Sequence, residues 1–168
     1  GINRAVIGIE ANKPDAIAMM EKTRPADMDV TVMPLQVKYP QGAEKMLIES
    51  LLNREVPVGG LPADVGVAVF NVGTLAQMGE LLPRGHGLIE RVITVSGPAI
   101  EKPGNYLVPL GSPVSFILNE VGTTTDANEV ILGGPMMGMT VASLDVPVTK
   151  GVSGLVVYGA EAPDQKSR

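Results

Sequence analysis

Polar residues that could bind a ligand stand at three points where a predicted strand gives way to a predicted helix. In open parallel sheets, ligands bind beyond the carboxyl ends of the strands, where helix N-termini present free N–H groups. The sequence therefore indicates three candidate ligand sites. In chain order they carry Glu10 and Asn12, then Lys38, Tyr39, Gln41, Gly42 and Glu44, then Asn71, Gly73 and Thr74.

The same residues also have an ordinary structural explanation. Asn12 and Asn71 are typical helix caps, and Glu44 is a typical first-turn acid beside the positive end of a helix. Tyr39 is typical of a half-buried loop aromatic. No Gly-x-Gly-x-x-Gly motif stands at the first junction, so the usual phosphate cradle is missing there. Both explanations stay open on the residues alone.

Other kinds of site find less support. His86 is the single histidine and the chain has no cysteine, so a metal or catalytic histidine site is not expected. Met136, Met137 and Met139 could be soft metal ligands, but without Cys or His beside them they are better explained as flexible contact residues. One histidine supplies no Ser/His/acid set, although covalent catalysis without His stays open.

Composition narrows the classes of partner. The 168 residues carry 18 acidic and 13 basic side chains spread along the chain, without the basic cluster that nucleic-acid binding needs, so no nucleic-acid partner is expected. No apolar run approaches the ~20 residues of a transmembrane helix, so we expect no direct membrane span. The absence of cysteine excludes Cys-ligated iron and zinc from these residues, and any electron carrier bound here must be organic.

The three junctions lie in a predicted parallel α/β layer. Strand, helix and strand follow one another within residues 4–33, which is typical of a βαβ unit. Further helix and strand patterns then lead to a first domain that closes near Pro83. We predict strands over 4–9, 30–33 and 65–70, and helices over 14–21, 41–52 and 71–82, with Asn12 and Asn71 as caps.

Beyond residue 83 the pattern changes to a hairpin followed by a helix and a strand, which fits a β-grasp fold. The predicted hairpin strands cover 91–95 and 106–110. A helix opens at Ser112 and Pro113 and presents one apolar face. Residues 129–132 supply another strand, a loop region begins at Gly133, and a last strand covers 155–158. The fold class is thus α/β, a parallel-sheet part followed by a β-grasp domain.

Three sets of motifs resemble the RnfC-type subunit of the Rnf electron-transport complex, an ion-translocating ferredoxin:NAD oxidoreductase. Tyr39-Pro-Gln-Gly-Ala-Glu-Lys-Met-Leu is similar to the Tyr-x-x-Gly-Glu-Glu-x-x-Leu segment of the NADH-oxidising flavoprotein subunit of complex I. Gly59-Gly-Leu-Pro-Ala-Asp and Phe70-Asn-Val-Gly-Thr-Leu resemble its later loop and Asn-Asn-Val-Glu-Thr segment. Gly133-Gly-Pro-Met-Met-Gly and Asp145-Val-Pro-Val-Thr-Lys-Gly resemble RnfC itself.

The resemblance implies three regions. Residues 1–83 would form a Rossmann-like half-domain, an incomplete flavin- and NADH-binding part, and residues 84–134 would form a soluble-ligand-binding (SLBB) β-grasp domain. Residues 135–168 would form a loop and strand that lead toward an iron-sulfur domain. It implies a subunit that passes electrons between NADH, flavin mononucleotide (FMN) and iron-sulfur clusters. Its partners would be the other subunits of an ion-transporting membrane complex. It would then lie peripherally on the cytoplasmic face of the bacterial inner membrane.

The resemblance also implies roles for individual residues. Tyr39 would lie beside the flavin and nicotinamide, and Glu44 would contact the nucleotide. Gly42 would allow close approach of the backbone. Asn71 and Thr74 would hold the phosphate end of the flavin. We expect no catalytic side chain and no metal ligand among these residues.

The chain departs from the complex I segments at three positions, and two alternative functions stay open. Ala43, Phe70 and Gly73 replace a Glu, an Asn and a Glu of the complex I segments. The resemblance places the glycine-rich flavin loop upstream of Gly1 and the 4Fe-4S cysteine clusters downstream of Arg168, so we expect the chain alone to be inactive. A cobalamin-reductase-like flavoprotein of a microcompartment is one alternative. A non-catalytic docking module with a Met-rich loop is another.

Overall fold

The structure is a computed structural model that describes residues 2–160, and the chain divides into two compact units, Gly1–Val69 and Phe70–Arg168. The first unit alternates strands and helices, and its last element is a short 3-10 helix. Its elements are β1 (Ala5–Glu10), α1 (Pro14–Thr23), β2 (Val30–Leu35), α2 (Glu44–Leu52) and the 3-10 helix Pro62–Val65.

Strands β1 and β2 pair in parallel, from Ala5 opposite Val30 to Glu10 opposite Leu35, which confirms the predicted βαβ unit. Helix α2 packs on this pair because Gly8 leaves room for it. A Cβ atom on Gly8 would lie 2.8 Å from Leu35 Cδ1 and within 3.2 Å of the leucines of α2. Ile48 on α2 is 2% exposed and completes the small apolar core of the unit.

Two expectations for the first unit were wrong. The residue at the cap position of α1 is Lys13, which makes no side-chain capping hydrogen bond, and Asn12 does not cap the helix but accepts from Lys13 Nζ. The strand predicted over 65–70 is not formed: Val65 belongs to the 3-10 helix, and residues 67–70 form no strand although their burial alternates as in one. The sheets of the described residues offer this segment no neighbouring strand, and the turn at Gly66, with φ of 70°, ends the 3-10 helix just before it. Alternation alone does not supply a hydrogen-bonding partner.

The second unit contains a five-stranded mixed sheet with the strand order β4-β3-β7-β5-β6. Strands β3 and β4 form the predicted antiparallel hairpin, while β7 lies between β3 and β5 and runs parallel to β3. Its elements are α3 (Val72–Leu81), the 3-10 helix Leu82–Arg84, β3 (Glu90–Ser96), β4 (Gly104–Pro109), α4 (Val114–Val121), β5 (Ala127–Leu132), β6 (Met139–Thr140) and β7 (Gly154–Gly159).

Helix α4 covers this sheet with the apolar face that the sequence predicts. Val114, Ile117, Leu118 and Val121 are all at most 6% exposed and join the core beneath. The hairpin, helix and central parallel strand confirm the predicted β-grasp arrangement.

The compact units differ from the predicted domain boundaries at both ends of the β-grasp region. Helix α3 lies in the second unit because it packs beside β3, so the division falls between Val69 and Phe70 and not near Pro83. Strand β7 is an internal strand of the same sheet, and its Leu155 and Val157 are 0% exposed. The second unit therefore extends well past the predicted boundary at Gly134.

Candidate functional site

The first group of predicted site residues lies at the start of α2. Two consecutive turns lead into the helix: the Gln41 N–H donates to the Lys38 carbonyl over 3.0 Å, and the Ala43 N–H donates to the Pro40 carbonyl over 2.8 Å. The Tyr39–Pro40 peptide bond is cis. Tyr39 is 60% exposed, so its ring is available to a ligand and is not the half-buried loop aromatic of the ordinary explanation.

Gln41 anchors these turns to the body of α2. Its side chain is 4% exposed, and its Nε2 donates to Ser50 Oγ over 2.8 Å. Its Oε1 is buried and has no hydrogen-bond partner. Sequence reasoning placed Gln41 at the junction but gave it no role. A glutamine between a proline and a glycine carries no signal of burial, because burial depends on how the loop folds back onto α2.

The fold does not require glycine at position 42, and Glu44 has only the role of a first-turn acid. A Cβ atom on Gly42 would meet no heavy atom within 4 Å, and its φ is not positive, so the fold itself accepts a side chain there. Glu44 lies in the first turn of α2, as predicted, although the helix begins at Glu44 itself and not at Gln41, and it is exposed. It forms no ion pair within residues 2–160. Both residues therefore present open surface beside Tyr39.

The second group of predicted site residues lies at the start of α3. Asn71 caps this helix as predicted: its Oδ1 accepts from the N–H groups of Gly73 at 3.0 Å and Thr74 at 3.3 Å. A Cβ atom on Gly73 would lie 3.2 Å from that oxygen, so glycine gives the cap room. The cap occupies the Gly73 and Thr74 N–H groups. What stays available to a ligand at this turn is the Thr74 hydroxyl.

The predicted residues thus fall into two groups. Tyr39, Gly42 and Glu44 share one turn in the first unit, and Asn71 and Thr74 share one turn in the second unit. Each group surrounds the N-terminus of a helix, where exposed polar groups and the positive end of the helix favour anionic ligands.

A shallow surface cleft lies beside the second group, between α3 and β3. Two of its side chains are buried polar residues that sequence reasoning missed: Gln77, at 5% exposure, and Arg91, at 8%. The alternation of β3 carried a signal, because it places Arg91 on the same face as Ile93 and Val95. The cleft is lined by Gly73, Thr74, Gln77, Leu88, Arg91 and Val92.

Neither a metal cluster nor a membrane-spanning helix is found within residues 2–160. No three His, Asp or Glu side chains gather closely enough there to bind a metal ion. In the same range, every helix is too short or too polar to cross a bilayer.

Two family models match the chain. Residues 1–80 match the Nuo51 FMN-binding domain, and residues 92–140 match the SLBB domain. The first match contains both predicted groups of site residues. Arg91 lies between the two matched ranges.

Three curated relatives align over most of the chain, and each is the C subunit of an oxidoreductase complex. The one from the proton-translocating ferredoxin:NAD(+) oxidoreductase complex of Clostridium ljungdahlii is 47% identical over 92% of this chain and 34% of its own length. The one from the Na(+)-translocating ferredoxin:NAD(+) oxidoreductase complex of Acetobacterium woodii is 43% identical over 96% of the chain and 37% of its own length. The chain is a homologue of these C subunits. It also matches the C subunit of the ion-translocating oxidoreductase complex of Vibrio cholerae, at 44% identity over 86% of the chain and 19% of that protein.

The homology to C subunits confirms the resemblance that the motifs indicated, and the SLBB match agrees with the β-grasp sheet of the second unit. The chain spans about a third of the first two relatives and a fifth of the third, as the aligned 34%, 37% and 19% show.

Proposed function

We propose that this chain is the FMN-holding part of a C subunit that passes electrons between NADH, flavin and iron-sulfur clusters in an ion-translocating membrane complex. The match of residues 1–80 to an FMN-binding domain carries this proposal. It spans both helix N-termini that hold the predicted site residues. The 47% identity to a protein of a ferredoxin:NAD(+) oxidoreductase complex supports the same activity.

The first group of residues fits a flavin and a nicotinamide. Tyr39 offers an exposed aromatic ring, on which a planar ring system can stack. Gly42 leaves open space at the backbone, where a ligand can approach closely. Glu44 is an exposed carboxylate that can accept hydrogen bonds from the ribose hydroxyls of a nucleotide. Since the fold does not require glycine at position 42, ligand contact explains this residue type, and at Glu44 it adds to the helix-start role of the acid.

The second group fits the phosphate end of the flavin. Asn71 and Thr74 stand at the first turn of α3, whose positive end favours an anion. The Asn71 side chain orders this turn by capping it, and the Thr74 hydroxyl is a donor at the same place. Asn71 and Thr74 would bind and orient the phosphate end of FMN here, and the flavin would supply the acceptance of hydride from NADH and the release of single electrons.

The remaining parts of the activity involve other chains and other residues. Because the chain has no cysteine, the 4Fe-4S clusters are held outside these 168 residues. Other subunits of the complex accept the electrons and move the ion. We infer that the protein lies peripherally, on the cytoplasmic face of the bacterial inner membrane, where NADH is available.

The sequence left two other functions open. A cobalamin-reductase-like flavoprotein would use the same two domains, but the matched relatives carry ferredoxin and NAD(+) in their names and favour the membrane complex. A docking role rests on Met136, Met137 and Met139, which are 67%, 78% and 73% exposed. Their exposure is compatible with an interface inside the same complex, so docking and electron transfer do not compete.

The proposal is tested by the flavin content and NADH reactivity of a protein of the relatives' length that carries this chain. We expect the purified protein to release FMN on acid treatment and its flavin absorbance to bleach with NADH under anaerobic conditions. A protein that is folded, carries no flavin and takes up none from added FMN would contradict the proposal.

A further inference from the structure

A largely buried arginine, which has no counterion within the described residues, lies beside the first turns of α3. Arg91 is 8% exposed, and its Nε is buried without a hydrogen-bond partner. Gln77 lines the same cleft, and its Oε1 is likewise buried and unpartnered. No carboxylate forms an ion pair with Arg91 anywhere in residues 2–160.

The fold forces this burial. Arg91 alternates with Ile93 and Val95 on β3, and both of these are 0% exposed, so the register directs Arg91 toward the interior. Removing part of a guanidinium from water, here its Nε, without an opposite charge destabilises the folded state. The nearby positive end of α3 adds a second unfavourable interaction. An anion in the cleft relieves both.

We propose that Arg91, together with Thr74 and Gln77, binds a phosphate group in the cleft between α3 and β3. The guanidinium, the Thr74 hydroxyl and the Gln77 amide are three kinds of donor, and a phosphate has acceptors for all of them. The backbone N–H groups of Gly73 and Thr74 do not take part, because Asn71 already accepts from both.

The identity of the phosphate rests on the proposed function. FMN carries a phosphate monoester, and Thr74 belongs both to the cleft and to the predicted flavin-phosphate group. Inorganic phosphate offers the same oxyanion chemistry without the flavin. Arg91 then supplies the positive charge that neither Asn71 nor Thr74 can give the phosphate end of the flavin.

A purely structural alternative makes opposite predictions. Gln77 Oε1 is an acceptor and Arg91 Nε is a donor, so a small side-chain rotation could pair them directly. In that case Arg91 stabilises the unit by itself and its replacement is destabilising. In the phosphate-binding case, Arg91→Met removes an uncompensated charge and keeps most of the side chain's length, so the protein without phosphate becomes no less stable.

The experiment is a thermal-unfolding titration of the 168-residue chain with inorganic phosphate against sodium chloride at matched ionic strength. We expect phosphate to raise the melting temperature of the wild type in a saturable way, with a dissociation constant in the millimolar range. Arg91→Met should melt at or above the wild type in chloride and bind phosphate at least about tenfold more weakly. Arg84→Met is the matched control, since Arg84 is exposed and paired with Glu80. Its phosphate response should stay that of the wild type.

Two further arms separate the inference from the proposed function. Arg91→Lys keeps the charge and the aliphatic stem but loses the guanidinium fork, so it should fold and bind phosphate with intermediate affinity, even if Arg91→Met does not fold. FMN and riboflavin are titrated in parallel, and FMN should bind more tightly than riboflavin only when Arg91 is present. The inference is overturned if phosphate acts equally on the wild type and Arg91→Met, or if FMN binds and Arg91 makes no difference. If phosphate binding depends on Arg91 but FMN does not bind, the anion site stands and the flavin assignment fails.

Discussion

The side-chain amide of Gln41 donates to the hydroxyl of Ser50 over 2.8 Å, and this bond joins the loop that carries Tyr39 to the second turn of α2. Gln41 is buried, whereas Tyr39 and Glu44 on either side of it are exposed. A buried anchor between two exposed residues fixes the direction in which both of them point. Gln41 is therefore a positioning residue for the first group.

We expect Ser50→Ala to destabilise the chain, because it leaves the buried Gln41 Nε2 without an acceptor. The cost should be about 1–3 kcal/mol, the usual penalty for a buried unsatisfied polar group. Ser50→Thr keeps the hydroxyl and should restore most of the loss. Urea unfolding of the two variants measures the difference. Equal stability of Ser50→Ala and wild type would show that the Gln41 bond does not hold the loop.

Removal of the Asn71 cap should weaken α3 without abolishing the fold. Asn71→Ala leaves the Gly73 and Thr74 N–H groups without their acceptor and should cost about 1 kcal/mol. Asn71→Asp keeps an oxygen acceptor and should retain the stability, but its negative charge should weaken FMN binding to the full-length protein. Chemical unfolding and flavin titration read the two effects separately. A flavin affinity unchanged in Asn71→Asp would exclude the phosphate end of the flavin from this turn.

Gly97 is the glycine on which the second unit depends most. Its φ is 118°, and a Cβ atom there would lie 2.1 Å from the Val157 carbonyl oxygen on the central strand β7. Gly97→Ala should therefore destabilise the chain by at least about 3 kcal/mol, from backbone strain and the displaced strand together. Gly87→Ala is the control, since no heavy atom lies within 4 Å of its Cβ position. Differential scanning calorimetry should show a large fall in melting temperature for the first variant only.

The elements that sequence reasoning predicted well are those set by local patterns. Helix α4 follows from four apolar residues at helical spacing, and α3 begins at Asn71 because an Asn side chain caps a helix from within its own segment. The failures concern partners that are distant in sequence. Residues 67–70 alternate like a strand, but no described strand pairs with them, and β7 lies at the centre of a sheet in which both of its neighbours, β3 and β5, come much earlier in the chain.

The candidate site divides in the same way. Motifs indicated Tyr39, Gly42, Glu44, Asn71 and Thr74 because these residues lie in short segments that resemble a known family. Gln77 and Arg91 were missed, and Gln41 was given no role, since each looks like an ordinary surface residue until tertiary packing buries it. Only the alternation of residues along β3 indicated that Arg91 faces inward.

The Tyr39 ring should act on the ligand and not on the fold, because 60% of the residue is exposed. The test uses a protein of the relatives' length that carries this chain. Tyr39→Phe should keep most of the NADH oxidation rate if the ring face stacks on the ligand. Tyr39→Ala should lower that rate by at least about tenfold, or about 1.4 kcal/mol of transition-state stabilisation. An equal loss of NADH oxidation rate in both variants would assign the effect to the Tyr39 hydroxyl. Melting temperatures close to that of the wild type are the control, and wild-type rates in both variants would remove Tyr39 from the site.

The most direct test of the account is the anaerobic reduction of FMN by NADH in the full-length protein, followed by stopped-flow absorbance. Glu44→Gln keeps the shape and removes the charge, and Glu49→Gln makes the same change at an exposed position further along α2. The free energy of unfolding of both variants should lie within about 1 kcal/mol of the wild-type value, as is usual for substitutions of exposed helix residues. We predict flavin reduction at least about tenfold slower, or half-saturated only at higher NADH, in Glu44→Gln alone. Wild-type kinetics in Glu44→Gln, or equal slowing in Glu49→Gln, would contradict the account.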